Sequence, residues 1–214
     1  MTDGLSSPHA RNSAIESQLS GFVLAGGKSS RMGQDKAALT LNGRALLEHA
    51  LAVLHGLCRN VAILGKRELY GEFTPTIEDI FPECGPLGGI HAALSHSRAQ
   101  FNLIIAVDTP FLSPEFLKYL SERAMTSGAV VTTPEINGYT QPLCSVYSRE
   151  FLPVAENALK LGRYKIVPLF PPDKTLVLKE AELRKFAFTA DMFDNLNTPE
   201  DLERARRRLS GLDS

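Results

Sequence analysis

Apolar positions along this chain follow two periods that alternate from about residue 20 onward. Gly21-Phe22-Val23-Leu24 is a short apolar run entering Ala25-Gly26-Gly27, the pattern of a buried strand that ends in a glycine loop. Leu47, Ala50, Leu51, Leu54 and Leu57 share one face of a helix over Ala45 to Leu57. Asn60 to Leu64 is a second strand, closed by Gly65, and Thr76-Ile77 a short extended piece. Gly85-Pro86 opens a helix over Leu87 to Leu94, with proline where its missing N–H costs least. Phe101 to Val107 is the most apolar strand and stops at Asp108.

Ser113-Pro114-Glu115-Phe116 reads as the capped start of a helix reaching about Thr126. Strands are expected at Ala129 to Thr133 and Leu143 to Tyr147, then a helix over Arg149 to Leu161 ended by Gly162. Late strands are expected at Thr175 to Leu178 and Lys185 to Thr189. Thr198-Pro199-Glu200-Asp201 opens a last helix carrying Arg204, Arg206, Arg207 and Arg208, by default a solvated face. Strand–helix alternation of this kind predicts an α/β fold: one domain, a three-layer α/β/α sandwich around a mostly parallel, Rossmann-like sheet. In such sheets ligands bind beyond the carboxyl ends of the strands, where the loops after Leu24 and Val107 fall. Met1 to Gln18 lacks an apolar period and is expected to be a flexible leader (1–18), with the domain over 19–214.

Composition narrows the function. The chain has 214 residues and 23 Lys plus Arg against 24 Asp plus Glu, so it lacks the basic excess of a nucleic-acid binder. Its longest apolar run, Leu103 to Val107, is far short of the roughly 20 residues that cross a bilayer, so no membrane partner is expected. No apolar segment near the N-terminus resembles a secretory signal. Cys58, Cys84 and Cys144 are too few and too scattered for a disulfide framework or a Cys-x-x-Cys clip, and no His-Glu-x-x-His occurs. These features fit free thiols in a reducing, cytoplasmic setting.

The segment Leu24 to Lys36 holds Gly26, Gly27 and Gly33 together with Lys28, Arg31 and Lys36. Glycines let backbone N–H groups converge on an anion, and the cations offset a polyphosphate. The bland alternative is a solvated Gly/Ser connection. A Gly-x-Gly-x-x-Gly fingerprint fails on the glycine positions. A Walker A loop would find its last three residues in Gly27-Lys28-Ser29, but its first glycine would fall on Phe22.

Leu24 to Lys36, Glu78-Asp79, Cys84-Gly85-Pro86-Leu87-Gly88-Gly89, Val107-Asp108-Thr109-Pro110 and Asn195-Leu196-Asn197-Thr198-Pro199-Glu200-Asp201-Leu202 occur in that order. Together they resemble the motifs of the sugar-nucleotide-pyrophosphorylase-like nucleotidyltransferases. Within that superfamily they are most similar to the molybdenum cofactor guanylyltransferases, over residues 20 to 209. The resemblance implies a fold of the nucleotide-diphospho-sugar-transferase type, GTP and Mo-molybdopterin as substrates, and Mg²⁺ as cofactor. It also implies transient contact with cofactor-delivering or cofactor-receiving proteins. The implied reaction transfers GMP from GTP to the terminal phosphate of Mo-molybdopterin, giving the guanine dinucleotide cofactor and pyrophosphate.

The resemblance also distributes roles. Leu24, Ala25, Gly26 and Gly27 would offer backbone to base and phosphates, and Arg31 and Lys36 would bind the triphosphate. Asp79 matches a nucleotide contact, and a carboxylate suits guanine because it accepts from N1–H and the 2-amino group together. Gly85, Pro86 and Leu87 would line the same pocket. One family contact, an asparagine, falls on Leu64 and is either absent here or made by backbone. Asp108, at the end of the central strand, would hold Mg²⁺; its plainer reading is a turn residue before Thr109-Pro110. Gln141, Asn195 and Asn197 fall on the acceptor side, turn chemistry being the competing reading for the two asparagines. Two further functions stay open: a sister enzyme using CTP or another phosphorylated acceptor, and a non-catalytic nucleotide-binding module. The sister enzyme that uses CTP typically reads Ala-Ala-Gly where this chain has Ala25-Gly26-Gly27. Intact Lys36 and Asp108 argue against the non-catalytic module.

Overall fold

Leu19–Leu24 is buried at all six positions, as a strand covered on both faces must be. The computed structural model describes residues 18–25 and 35–209. Residues 1–17 of the expected leader, and Gly26, Gly27 and Arg31, lie outside the described residues.

The chain begins with β1 (Leu19–Leu24), β2 (Thr40–Leu41), β3 (Arg44–Ala45), α1 (Leu46–His55), β4 (Asn60–Leu64), α2 (Arg67–Tyr70) and β5 (Thr76–Ile77). Next come α3 (Pro86–His96), β6 (Phe101–Ala106), α4 (Pro114–Ser127), β7 (Val131–Ile136), β8 (Tyr139–Thr140) and β9 (Cys144–Ser148). The rest is α5 (Leu152–Lys160), β10 (Thr175–Lys179), α6 (Glu180–Leu183) and α7 (Pro199–Leu209). The main sheet has the order β10-β7-β9-β6-β1-β4-β5, with β8 paired to β7. β1 lies parallel between β4 and β6, β4 pairs in parallel with β5, and β7 with β10. Only β9, among the strands in that order, runs against its neighbours β6 and β7.

Side chains alternate across the sheet and so divide the core. Leu19, Val23, Ile63, Leu103 and Ile105 pack with α1, α4 and the buried residues Leu202 and Ala205 of α7. Phe22, Leu24, Ala62, Leu64 and Ile104 pack with α3 and α5 on the other face. The result is the expected three-layer α/β/α architecture around a mostly parallel sheet. No described helix is long and apolar enough to cross a membrane. Cys58, Cys84 and Cys144 stand unpaired, and burial pushes the Cys58 thiol up to about 12.

Three local features depart from the pattern reading. Asn42-Gly43 joins β2 to β3 and Asn137-Gly138 joins β7 to β8; all four residues have positive φ, which tight hairpin turns of the mirror-image type require. Hydrophobic period alone does not register strands of two residues. β9 returns antiparallel because the β7–β8 turn reverses the chain without a crossover helix. The strand expected at Lys185 to Thr189 is absent and must be corrected. Arg184–Phe186 is a 3₁₀ turn, Ala187 sits at φ +60, and the N–H groups of Ala187 and Phe188 bond back to Arg184 and Leu183. Phe186 and Phe188 look like strand alternation in sequence. They instead pack on Tyr119, and Phe188 meets Phe116 edge-on.

His91 on α3 is 4% exposed, meets Phe81 edge-to-face at 5.0 Å, and leaves Nδ1 without a hydrogen-bond partner among the described residues. Burial lowers its pKa from the ordinary histidine value, against a smaller opposing pull from Glu156. The folded protein therefore binds fewer protons than the unfolded chain below about pH 6.5, and stability falls as pH falls through that value. Thermal unfolding should show a lower Tm at about pH 5.5 than at pH 7, and a smaller drop for His91→Leu. An equal drop in both proteins would show that His91 does not contribute.

Candidate active site

β6 is buried at all six positions, and its ladder runs one residue further where Val107 N donates to Leu24 O at 3.1 Å. Asp108 is the first charged residue beyond it. Its carboxylate Oδ2 accepts from Lys36 Nζ at 2.7 Å, with about a fifth of each side chain exposed. The same ammonium donates to Asn197 Oδ1 at 2.6 Å. Three residues expected from separate motifs, 72 and 161 positions apart along the chain, thus meet on one nitrogen.

Each is placed by its backbone. Lys36 opens the 3₁₀ turn Lys36–Ala38, capped by Asp35, whose Oδ1 accepts from Ala37 N at 3.1 Å. Ala37 is 2% exposed and roots that turn in the core. Asn197 precedes α7 at a reciprocal cap. Thr198 Oγ1 accepts from Asp201 N at 3.2 Å, and Asp201 Oδ2 accepts from both Asn197 N and Thr198 N at 2.9 Å. Those backbone donors hold the Asp201 carboxyl below the usual carboxylate range. The segment is tied to β6 as well, since Leu196 N donates to Asp108 O at 2.9 Å. The neighbouring Asn195 is exposed, and its side chain makes no hydrogen bond among the described residues.

A second group lies over the carboxyl ends of β1 and β4. Asp79 is beside the first turn of α3: a Cβ on Gly88 would stand 3.1 Å from its Oδ2, and one on Gly89 would stand 3.7 Å from Oδ1 and 2.4 Å from Leu24 Cδ1. Desolvation in this corner raises the Asp79 pKa. Gly85 is the N-cap of α3 and Pro86 its first residue. Leu87 is fully buried in the core, so only its backbone faces this corner. Leu24 and Ala25 are buried, with Leu24 O accepting from Val107 and Ala25 N donating to Leu64 O at 3.1 Å. Leu64, 1% exposed, is a core side chain, so any contact there is by backbone.

Gln141 lies at the same edge of the sheet. Cys144 is paired with Ile105, and Ala106 N donates to Leu143 O, which brings the loop before β9 to the carboxyl end of β6. Gln141 N donates to Pro134 O and its Nε2 to Tyr139 O, without a contact to Asp108. Arg206 and Arg208 of α7 make structural contacts. Arg206 donates to Thr40 O, while Arg208 pairs with Asp191 and covers the Phe111 ring at 4.3 Å. Sequence reasoning missed Tyr70, whose hydroxyl donates to Asp35 Oδ2 at 2.7 Å. A lone tyrosine in a four-residue helix gives no periodic signal.

The sheet order, the ammonium and carboxylate at the end of β6 and the matches that follow define a nucleotidyltransferase of the nucleotide-diphospho-sugar-transferase fold. Residues 21–169 match the MobA-like NTP transferase domain family. A probable molybdenum cofactor guanylyltransferase of Pelotomaculum thermopropionicum is 35% identical over 191 residues, covering 88% of this chain and 92% of its own. Molybdopterin-guanine dinucleotide biosynthesis protein A of Archaeoglobus fulgidus superposes with a TM-score of 0.79 at 28% identity, over 90% of this chain and 99% of that one. A 4-diphosphocytidyl-2C-methyl-D-erythritol synthase of Anaerococcus prevotii, at 13% identity and a TM-score of 0.67 over 92% and 99% of the two chains, shares the fold alone. The chain belongs to the MobA-like NTP transferase family.

Asp201→Ala should remove the acceptor of two backbone N–H groups and release Asn197 from its cap. Loss of such a cap costs about 1 kcal/mol. Urea unfolding should show that loss of stability, and an unchanged midpoint would mean that the cap does not hold the segment.

Proposed function

We propose that this protein transfers GMP from GTP to the terminal phosphate of Mo-molybdopterin, releasing pyrophosphate. The observation that carries the reading is the Lys36 ammonium shared by Asp108 and Asn197 at the carboxyl end of β6. The named relatives supply the guanine and molybdopterin specificity. In the reaction an oxygen of the acceptor phosphate attacks the α-phosphorus of GTP. The bond from that phosphorus to the bridging oxygen breaks, and both of its electrons leave with pyrophosphate. Little covalent chemistry falls to the protein, which must align two anions and offset the developing charge.

Asp108 suits a magnesium ion. Its Oδ2 is engaged by Lys36, while Oδ1 has no partner among the described residues. Among the described residues no group of three or more His, Cys, Asp or Glu side chains comes together there, so one carboxylate would serve beside phosphate oxygens and water, a usual arrangement for magnesium. Bound there, the ion would neutralise charge on the departing pyrophosphate. Lys36 would exchange its two oxygen partners for phosphate oxygens. Arg31, which lies outside the described residues, would add a second cation. Asp79, which is solvent-exposed in this corner, would accept from the guanine edge. Gly85, Pro86 and the backbone of Leu87 would wall the base. Gln141 and Asn195 would face the acceptor, and Asn197 would stand between the two substrates.

GTP with Mg²⁺ should raise Tm more than CTP, ATP or UTP with Mg²⁺. Ligand at about 100 times its dissociation constant adds about 2.7 kcal/mol. Equal or greater stabilisation by CTP would overturn the guanine assignment.

Asp108→Asn keeps the shape but removes the charge facing Lys36 and the metal. Transfer should fall by at least about 100-fold while the folded state persists by circular dichroism, the size expected when a group that stabilises the transition state is removed. Turnover near the wild-type rate would refute the metal site.

A further inference from the structure

Tyr70 is the last residue of α2 and is 5% exposed, its ring packed in the same apolar cluster as Ala25 and Ala37. Its hydroxyl lies 2.7 Å from Asp35 Oδ2 and 3.4 Å from the carbonyl oxygen of Ala25. Ala25 and Asp35 are the residues on either side of the glycine-rich segment 26–34, which carries Lys28 and Arg31. A phenol has one hydrogen. At these distances it serves the carboxylate, with the carbonyl at the margin of a shared bond. Burial and the neighbouring Asp35 raise the Tyr70 pKa, so the hydroxyl stays a donor at every working pH.

The other end of this contact leads to the site. Asp35 spends Oδ2 on Tyr70 and Oδ1 on Ala37 N, the cap of the turn that begins at Lys36. Lys36 then reaches Asp108 and Asn197. α2 is itself anchored, since Arg67 N donates to Glu78 Oε1 at 3.2 Å, one residue before Asp79. One buried hydroxyl therefore joins the β4–β5 connection to the entry and exit of the glycine-rich segment.

We propose that Tyr70 is a positioning residue for the nucleotide: its bond to Asp35, made beside Ala25, holds the two ends of the glycine-rich segment together and sets Lys36 toward the triphosphate. This rests on the nucleotidyl-transfer reading above. Tyr70 touches no substrate and acts through Asp35.

The test is a double-mutant cycle on the full chain with Tyr70→Phe, Asp35→Ala and the pair. It is read by isothermal titration with the nucleoside triphosphate that the wild type binds best in the presence of Mg²⁺, and by thermal unfolding. Tyr70→Phe keeps the ring in the core, so Tm should shift by only a few degrees. Triphosphate affinity should drop about tenfold, the size of one charge-assisted hydrogen bond. In the Asp35→Ala background the same change should cost less than twofold, because the bond is already gone. In steady state the KM for the nucleotide should rise while that for the acceptor holds. Asp35→Asn reaches the same bond from its carboxylate end and should give an intermediate loss. Unchanged affinity in Tyr70→Phe, or independent and additive losses in the cycle, would overturn the positioning role. A wild type that prefers CTP would refute the guanine reading and leave this cycle to be judged with CTP.

Discussion

One ammonium group organises this protein. Lys36 Nζ satisfies Asp108 and Asn197 at once, and each partner belongs to a segment that the fold brings in separately. An ion pair a fifth exposed gives little net stability, because desolvation offsets most of the attraction. Its consequence is geometric. A lysine with two oxygen partners, one charged and one neutral, has few rotamers left. The cost of placing the cation is met in folding, before any nucleotide arrives, which is the sense in which such sites are preorganised.

The sheet makes this meeting possible. Parallel strands deliver their carboxyl ends to one edge, and β1, β4 and β6 are neighbours there. Burial of both faces leaves no room for charge until the strand ends, and Asp108 stands just past the end of β6, where a carboxylate is tolerated. The antiparallel β9 brings Gln141 to the same edge from the opposite direction. α3 adds its N-terminal turn over β1 and β4, where a Cβ on Gly88 would crowd Phe81 O and Asp79 and one on Gly89 would clash with Leu24. Core packing and site geometry are one problem here.

Most of the scaffold was legible in the sequence, because long buried strands and amphipathic helices carry their periods openly. Asn60–Leu64 and the Ser113-capped helix stand where the pattern put them. The failures have physical causes. Phe186 and Phe188 alternate like a strand, but packing of their rings on Tyr119 decides the local backbone. The two Asn-Gly hairpins are set by turn chemistry rather than by hydrophobic period. At the site, motif residues were visible one by one, while their connections were not. That Lys36 would bond Asn197 is information about a contact across the whole chain. Tyr70 was silent for the same reason, since its role lies in one hydroxyl bond and leaves no trace in composition or spacing.

The contact to Asn197 also bears on how two anions share one site. In the proposed reaction, motifs before residue 110 would serve the nucleotide and those after it the acceptor. Like charges 4 Å apart repel by about 1 kcal/mol in water and about 4 kcal/mol at the effective dielectric of a partly buried site. Two separate pockets would lower that repulsion but would leave the reacting atoms apart. A cation held at the seam does both jobs. Lys36 faces Asp108 from the early half of the chain and Asn197 from the late half, and Leu196 N on Asp108 O fixes the two halves at that point. Asn197 is neutral, so it orients the ammonium without competing for its charge. Asn197→Ala should therefore weaken nucleotide binding and acceptor use together, whereas Gln141→Ala, with no link to Lys36, should raise the KM for the acceptor alone. Titration with GTP beside a transfer assay separates the two cases. If Asn197→Ala left GTP affinity untouched, the shared ammonium would be a resting contact and not part of the bound state.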